Sequence, residues 1–377
     1  MNYKIYNKIP IFSVSSIIIA LNTVIFLSLT GCTSYIRPGA VYSNVLQIPV
    51  VERSYSDDPG RISIGIANKM NRVSLSGTES IRENKNKILR IIDLLKKHNV
   101  NMILFPEFSL TGYFWDDSPG CWNYMREGLT NNHLEWLDEI KSKLDEHLQY
   151  VIFNNIRLDP DDPDGKFLNS TYVVDKNFNC TNLNSESNEQ FHIYDKTFLP
   201  GIEKTFTKSG EKDILVLGTQ WGKFGLTTCY DMCFTQIFQE YAMFDKVDAV
   251  VQLASWRGTS EREYPGMNAK TDHYYGFVWD LMASSQAAFN QIWVIACNAV
   301  GTQKRGNYEF WGGSSLWAPS GIKLFQGSND SEELIVIHNI DIKGQIKYER
   351  DDFNYYYDFL TIYDLIGKNR SFTRIKN

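Results

Sequence analysis

Short apolar runs recur at residues 62–67, 101–105, 150–153, 170–174, 224–228, 247–252 and 292–296, with stretches of helical periodicity between several of them. The first, Ile62-Ser63-Ile64-Gly65-Ile66-Ala67, alternates large apolar side chains with small or polar ones, the period of a strand. Ser80-Ile81-Arg82-Glu83 has the spacing of a capping box. Behind it Ile81, Ile88, Ile91 and Leu95 fall on one helix face. Further helices are expected at 236–244 and 275–290. Strands that alternate with helices restrict the fold to α/β layers, because each sheet face then has a helix to cover it. No linker or repeat interrupts residues 61–367, so one domain is expected there, with 368–377 a short tail.

Lys4 and Lys8 precede an apolar stretch at 9–29 that closes in Leu29-Thr30-Gly31-Cys32. A basic start, an apolar middle and small residues before a cut form the secretory signal pattern, here residues 1–31. The last four residues also resemble the lipobox of bacterial lipoproteins. That resemblance implies cleavage before Cys32 and lipid on its sulfur, each buried CH₂ contributing ~0.8 kcal/mol to membrane binding. An uncleaved membrane-spanning anchor is the other reading, since the stretch is long enough. Both put the domain outside the cytoplasm, in a cell envelope. Residues 32–60 are polar, Pro-bearing and aperiodic, and read as a tether.

The formal net charge is −6 and no dense basic run occurs, which argues against nucleic acid as a partner. Of the remaining cysteines, Cys121 and Cys180 lie in polar, loop-like surroundings and could pair in an oxidising compartment. Cys297, in Trp293-Val294-Ile295-Ala296-Cys297, reads as a small buried hydrophobe. No CxxC or HxH pair occurs and the six His are scattered, so neither a metal nor another cofactor is expected.

Three segments carry groups suited to chemistry. Phe105-Pro106-Glu107 puts a carboxylate just past an apolar strand. Tyr194-Asp195-Lys196 and Glu203 flank a Pro200-Gly201 turn. Thr228-Cys229-Tyr230-Asp231 puts a thiol at the end of another strand. Strand ends are where open α/β sheets bind ligands. Singly, each has a structural explanation: a capping carboxylate, a surface lysine, a buried thiol. Jointly they supply a nucleophile, a base that takes its proton, and a cation for an oxyanion. No His stands near Cys229 in sequence, so the carboxylate is the candidate base.

In this combination the chain resembles the nitrilase superfamily of carbon–nitrogen hydrolases, over roughly residues 61–321. Phe105-Pro106-Glu107 is similar to the family's glutamate segment, Tyr194-Asp195-Lys196 to its lysine segment, and Cys229-Tyr230-Asp231 to its cysteine elbow. Glu203 matches the supporting glutamate, and Asn169-Ser170 and Ala254-Ser255-Trp256 are lesser echoes. The resemblance implies a four-layer αββα sandwich that dimerises by stacking sheets, and a Glu107–Lys196–Cys229 triad. The oxyanion would rest on Lys196 and the Tyr230 N–H. Tyr230-Asp231 after the cysteine resembles amidases rather than nitrilases, so a small-molecule amide is the expected substrate. Tyr113, Ser255 and Trp256 are candidates for the pocket wall. Phe198, Cys233, Gln286 and Phe289 depart from the pattern, standing where many relatives have His, Arg, Arg and Glu. Two other readings stay open: a non-catalytic lipid-anchored binding module, and an acyltransferase that uses the same thioester.

Overall fold

The chain enters its first sheet earlier than the sequence suggests. The computed structural model describes residues 41–42, 48–114, 119–130, 135–177, 192–210, 215–258, 260–264, 266–267, 269–272, 274–303 and 308–369. The signal stretch, Cys32 and Cys180 lie outside them. Strands β1 (Val41–Tyr42) and β2 (Pro49–Ser54) fall in what reads as a tether, and β2 pairs with a strand from the far end of the chain. Pro-Val-Val-Glu-Arg-Ser does not alternate, three apolar residues preceding three polar ones, so no strand period marks it.

The order continues with β3 (Ile62–Asn68), β4 (Met102–Leu104), β5 (Tyr150–Arg157), β6 (Phe167–Val174), β7 (Ile193–Asp195) and β8 (Thr207–Lys208). Then come β9 (Val216–Gly218), β10 (Lys223–Thr228), β11 (Ala249–Ala254) and the hairpin of β12 (Arg262–Tyr264) with β13 (Ala269–Thr271). Next are β14 (Trp293–Asn298) and the hairpin of β15 (Val300–Gln303) with β16 (Tyr308–Trp311). Last are β17 (Ser315–Trp317), β18 (Lys323–Gln326) and β19 (Glu333–Ile340). One sheet has the order β1-β2-β19-β3-β4-β5-β6-β7, with β8 added on β6; the second has the order β18-β17-β14-β11-β10-β9. β3, β4 and β5 run parallel, as do β10, β11 and β14.

The alternation in each strand decides which layer a side chain joins. Ile62, Ile64 and Ile66 of β3 pack with Leu226 of β10, Ala249, Val251 and Leu253 of β11, and Ile295 and Cys297 of β14 in one core between the sheets. Cys297 is thus the buried hydrophobe its sequence context suggests. The opposite faces take the helices. Ile81, Ile88, Ile91 and Leu95 of the helix Gly77–Lys96 pack on Ala67, Ile103 and Val151. Trp279, Ala283 and Ala287 of the helix Tyr274–Asn290 pack on Val250, Val294 and Ala296. The result is an αββα sandwich, the architecture expected.

Some local expectations fail for physical reasons. The first helix is capped by Ser76, which accepts from Glu79 N at 3.2 Å, one turn before the Ser80–Glu83 pair. Its start is buried because Gly77 lets the helix Pro119–Thr130 approach; a Cβ there would fall 1.8 Å from the Tyr124 carbonyl oxygen. Cys121 is buried in that second helix, not in a loop. The Tyr-rich end forms the helix Tyr355–Asn369, tied to the second sheet's helices where the Tyr356 hydroxyl donates to Ala242 O at 2.8 Å. Among the described residues no helix is long and apolar enough to cross a membrane.

Candidate active site

Pro106 lacks the N–H that would extend the β4 ladder. Glu107 N turns away and donates to Ala254 O at 3.3 Å, bringing the chain to the end of β11 in the other sheet. There Ser255 gives its N–H to Glu107 Oε2 at 2.9 Å and its hydroxyl to Glu107 O at 2.8 Å. Ser255, expected in the pocket wall, is committed to holding the carboxylate.

Lys196 follows β7 and reaches two carboxylates, with Nζ 2.9 Å from Glu107 Oε1 and 2.8 Å from Glu203 Oε2. Glu203 opens the short helix Glu203–Phe206 beyond the Pro200-Gly201 turn. Asn169, in the middle of β6, closes the group into a ring. Its Nδ2 donates to Glu107 Oε1 at 2.8 Å and to Glu203 Oε1 at 2.7 Å. All four side chains are buried. Burial disfavours the Lys196 ammonium, yet the charges of Glu107 and Glu203 outweigh it and hold the group well above the usual lysine range. Burial pushes Glu203 up to about 7, against the pull of Lys196.

Cys229 lies where β10 passes into the 3-10 turn Cys229–Cys233, with φ of 49°. A left-handed non-glycine residue is strained and persists only where its surroundings fix it. Asp231 does much of the fixing. It accepts Thr228 N at 3.0 Å, Phe198 N at 2.8 Å and the Tyr194 hydroxyl at 2.7 Å, so one carboxylate joins the cysteine turn to both sides of Lys196. Burial pushes Asp231 up to about 6. From β11, Gln252 Nε2 donates to Cys229 O at 2.9 Å. The thiol, 8 % exposed, is within hydrogen-bonding reach of Glu107. Burial, then the Glu107 charge, hold it well above the ordinary thiol range, so it rests protonated beside a carboxylate.

Around this centre the walls are aromatic. Tyr113 meets Phe108, Tyr308 and Phe310 edge-on at 5.3, 5.1 and 5.9 Å between centroids. Its hydroxyl is raised well above the usual range by burial and by the charges of Glu203, Cys229 and Glu107. Trp256 belongs to the same buried cluster as Cys229, and its Nε1 donates to Tyr275 O at 2.8 Å. Tyr230 is half-buried and meets Phe234 edge-on, while Phe198 stacks on Phe234 at 3.7 Å. Apolar stacking therefore occupies the position of the His that Phe198 replaces. Gln286 donates to Met232 O at 3.1 Å, and Phe289 is 69 % exposed.

The structure thus brings Glu107, Lys196, Cys229 and Glu203 together and sets Tyr230 beside them. Asn154, Gln252 and the structural part of Asp231 were not read from the sequence, nor was a task for Asn169. A signal was present: Asn154, Asn169 and Gln252 are polar residues in strands that also carry large apolar side chains, and a buried polar side chain must have a partner.

A family model described as Carbon-nitrogen hydrolase matches residues 70–348. A hydrolase of Schizosaccharomyces pombe is 24% identical over 273 residues, covering 71% of this chain and 75% of the relative. The deaminated glutathione amidase of Dictyostelium discoideum is 23% identical over 299 residues, 74% of this chain and 90% of that enzyme. Of several other curated relatives the match spans about half the length. Among solved structures, a Glu-to-Gln variant of an amidase from Nesterenkonia sp. AN1 superposes with a TM-score of 0.56 at 17% identity, covering 79% of this chain and 97% of that one. It carries the acetamide moiety of fluoroacetamide on its active-site cysteine. At this identity the likeness speaks for a shared fold.

Proposed function

The chain belongs to the carbon-nitrogen hydrolase family, and from that premise we propose that it hydrolyses a small-molecule amide through a thioester on Cys229. The observation that carries this reading is the contact set of Glu107, which meets the Cys229 thiol on one side and Lys196 on the other. Glu107 takes the thiol proton as the sulfur attacks the carbonyl carbon. The oxyanion is stabilised by the Tyr230 N–H, at the start of the 3-10 turn where no helical acceptor exists, and by Lys196, whose third N–H is uncommitted among the described residues. Collapse breaks the C–N bond, and the amine leaves with the proton from Glu107. Water, deprotonated by the same carboxylate, attacks the thioester; the acid departs and the thiol is restored. Glu203 keeps Lys196 in place through a charge-assisted hydrogen bond. Tyr113 and Trp256 line the acyl pocket.

An amide rather than a nitrile is favoured by Tyr230-Asp231 and by the amidases among the relatives. Envelope location and a lipid on Cys32 rest on the Leu29-Thr30-Gly31-Cys32 motif. A homodimer is supported by Phe277, Leu281 and Phe289, exposed along the helix Tyr274–Asn290.

The test is to incubate Glu107→Gln protein with cell extract and weigh the Cys229 peptide. An acyl adduct confined to Cys229 is expected. An unmodified Cys229, with turnover intact in Cys229→Ala protein, would overturn the reading. The mass of the mature N-terminal peptide decides between a lipidated Cys32 and an intact apolar stretch.

A further inference from the structure

Asn169 takes no part in the chemistry proposed above, yet it touches both carboxylates of the cluster. We propose that Asn169 is a positioning residue that keeps Glu107 and Glu203 ionised together, and that Asn154 sets the direction of its amide. This rests on the Glu107–Lys196–Cys229 reading and adds a component to it.

Two buried carboxylates around one ammonium are one positive charge short, and like charges in one site favour uptake of a proton. A proton on Glu107 would leave Cys229 without its base. Asn169 answers with the two hydrogens of one Nδ2, one to each carboxylate. Hydrogen bonds to the charged form hold that form, and Asn169 does pull Glu203 down against its burial. Turned end for end, the same amide would aim its oxygen at both carboxylates.

A backbone group prevents that turn. Phe108 N donates to Asn154 Oδ1 at 3.1 Å, and a main-chain N–H cannot reverse its role. Asn154 Nδ2 is thereby directed at Asn169 Oδ1, 2.8 Å away, and at Thr171 Oγ1, 3.1 Å away. With its oxygen occupied, Asn169 presents only N–H groups to the carboxylates. Thr171 lies 2.9 Å from the Thr228 hydroxyl, so the relay also reaches the residue before the nucleophile. The residue after the base thus orients the amide that holds the base.

The test uses iodoacetamide, which needs no knowledge of the substrate. Its rate of reaction with Cys229 is followed against pH by peptide mass in wild type, Asn169→Ala and Asn154→Ala, with folding checked by circular dichroism. Losing hydrogen bonds to a carboxylate should move the acid limb of the profile up by about one pH unit in Asn169→Ala. Asn154→Ala, which removes no contact to either carboxylate, should move it the same way by less. If both variants fold and keep the wild-type limb, the assignment to Asn169 fails while the triad stands. If wild-type Cys229 reacts no faster than Cys233, the triad reading itself fails. Should Asn169→Ala not fold, Asn154→Ala carries the same decision: a shifted limb supports the relay and an unshifted one overturns it.

Discussion

The side-chain nitrogen of Lys69 lies 2.5 Å from Asn71 Oδ1, and Asn71 Nδ2 in turn lies 2.7 Å from the Glu107 carbonyl oxygen. Lys69 is fully buried, and its contacts are neutral acceptors, Asn71 and the Ser109 carbonyl at 3.4 Å. Burial, reinforced by Lys87, brings its pKa down to about 7. A buried amine thus braces the backbone of the proposed base.

From that depression the sign of a pH effect follows. Between about 7 and the ordinary 10.5 the unfolded chain binds a proton that the folded chain does not. Stability from this site is therefore complete above that window and is lost as pH falls through 7. Lys69→Met should remove the slope, gaining on wild type by roughly 3–5 kcal/mol as pH falls across the window. Urea unfolding of both proteins at the two ends measures it; a constant difference would show that Lys69 titrates normally.

Lys196→Met leaves Glu107 and Glu203 buried with no cation between them. A loss of about 3–5 kcal/mol is expected, the usual cost of stripping one member from a buried ion pair. Adding Glu203→Gln to the same chain should recover part of it, because only one charge then lacks compensation. Equal losses in the single and double variants would mean that Lys196 matters for packing alone.

Glu203 sits near 7 while its unfolded value is 4.5, so the folded cluster takes up a proton as pH falls through neutrality. Amide turnover should decline over that interval, with an apparent value that belongs to the two carboxylates jointly. In Glu203→Gln the limb should move to lower pH, at reduced kcat. A profile of kcat/KM against pH that is flat from 8 down to about 5 would contradict a shared proton.

Gly225 lies in β10, four residues before Cys229, and a Cβ there would stand 2.7 Å from the Tyr241 ring. Tyr241 has little room to yield, since its hydroxyl donates to Leu226 O at 2.7 Å and Leu215 O at 3.2 Å. Gly225→Ala should cost about 1–3 kcal/mol by overpacking. Gly218→Ala, with open space around its Cβ, should be close to neutral. Thermal melts that rank the two in the opposite order would refute the packing argument.

What could be read in advance divides along the same physical lines. Ile62, Ile64 and Ile66 declared a strand because one period sets both their spacing and the core they join, the layer between the sheets. That Glu107, Lys196 and Cys229 would converge was legible because their three segments together resemble the motifs of one family. β2 was not, since its place depends on β19, reached only near the other end of the chain. Asn154 signalled only that it needs a partner; the direction in which it points, fixed by the Phe108 N–H, is not written in the sequence. The helix start was misplaced by one turn because Ser80-Ile81-Arg82-Glu83 satisfies the capping pattern, and only the fit of Gly77 against Tyr124 tells the two starts apart.

The ring of Glu107, Lys196, Glu203 and Asn169 also has a consequence for traffic. With Glu203 ionised its charges sum to one negative unit, enclosed and away from water. A neutral amide entering, and ammonia or a neutral amine departing, feel little of that field. The carboxylate formed by hydrolysis feels it fully, at roughly 3 kcal/mol for a separation of ~5 Å and an effective dielectric of ~20. The cluster that prepares the nucleophile would then eject the acid it produces, and turnover would outrun product inhibition most clearly above neutral pH.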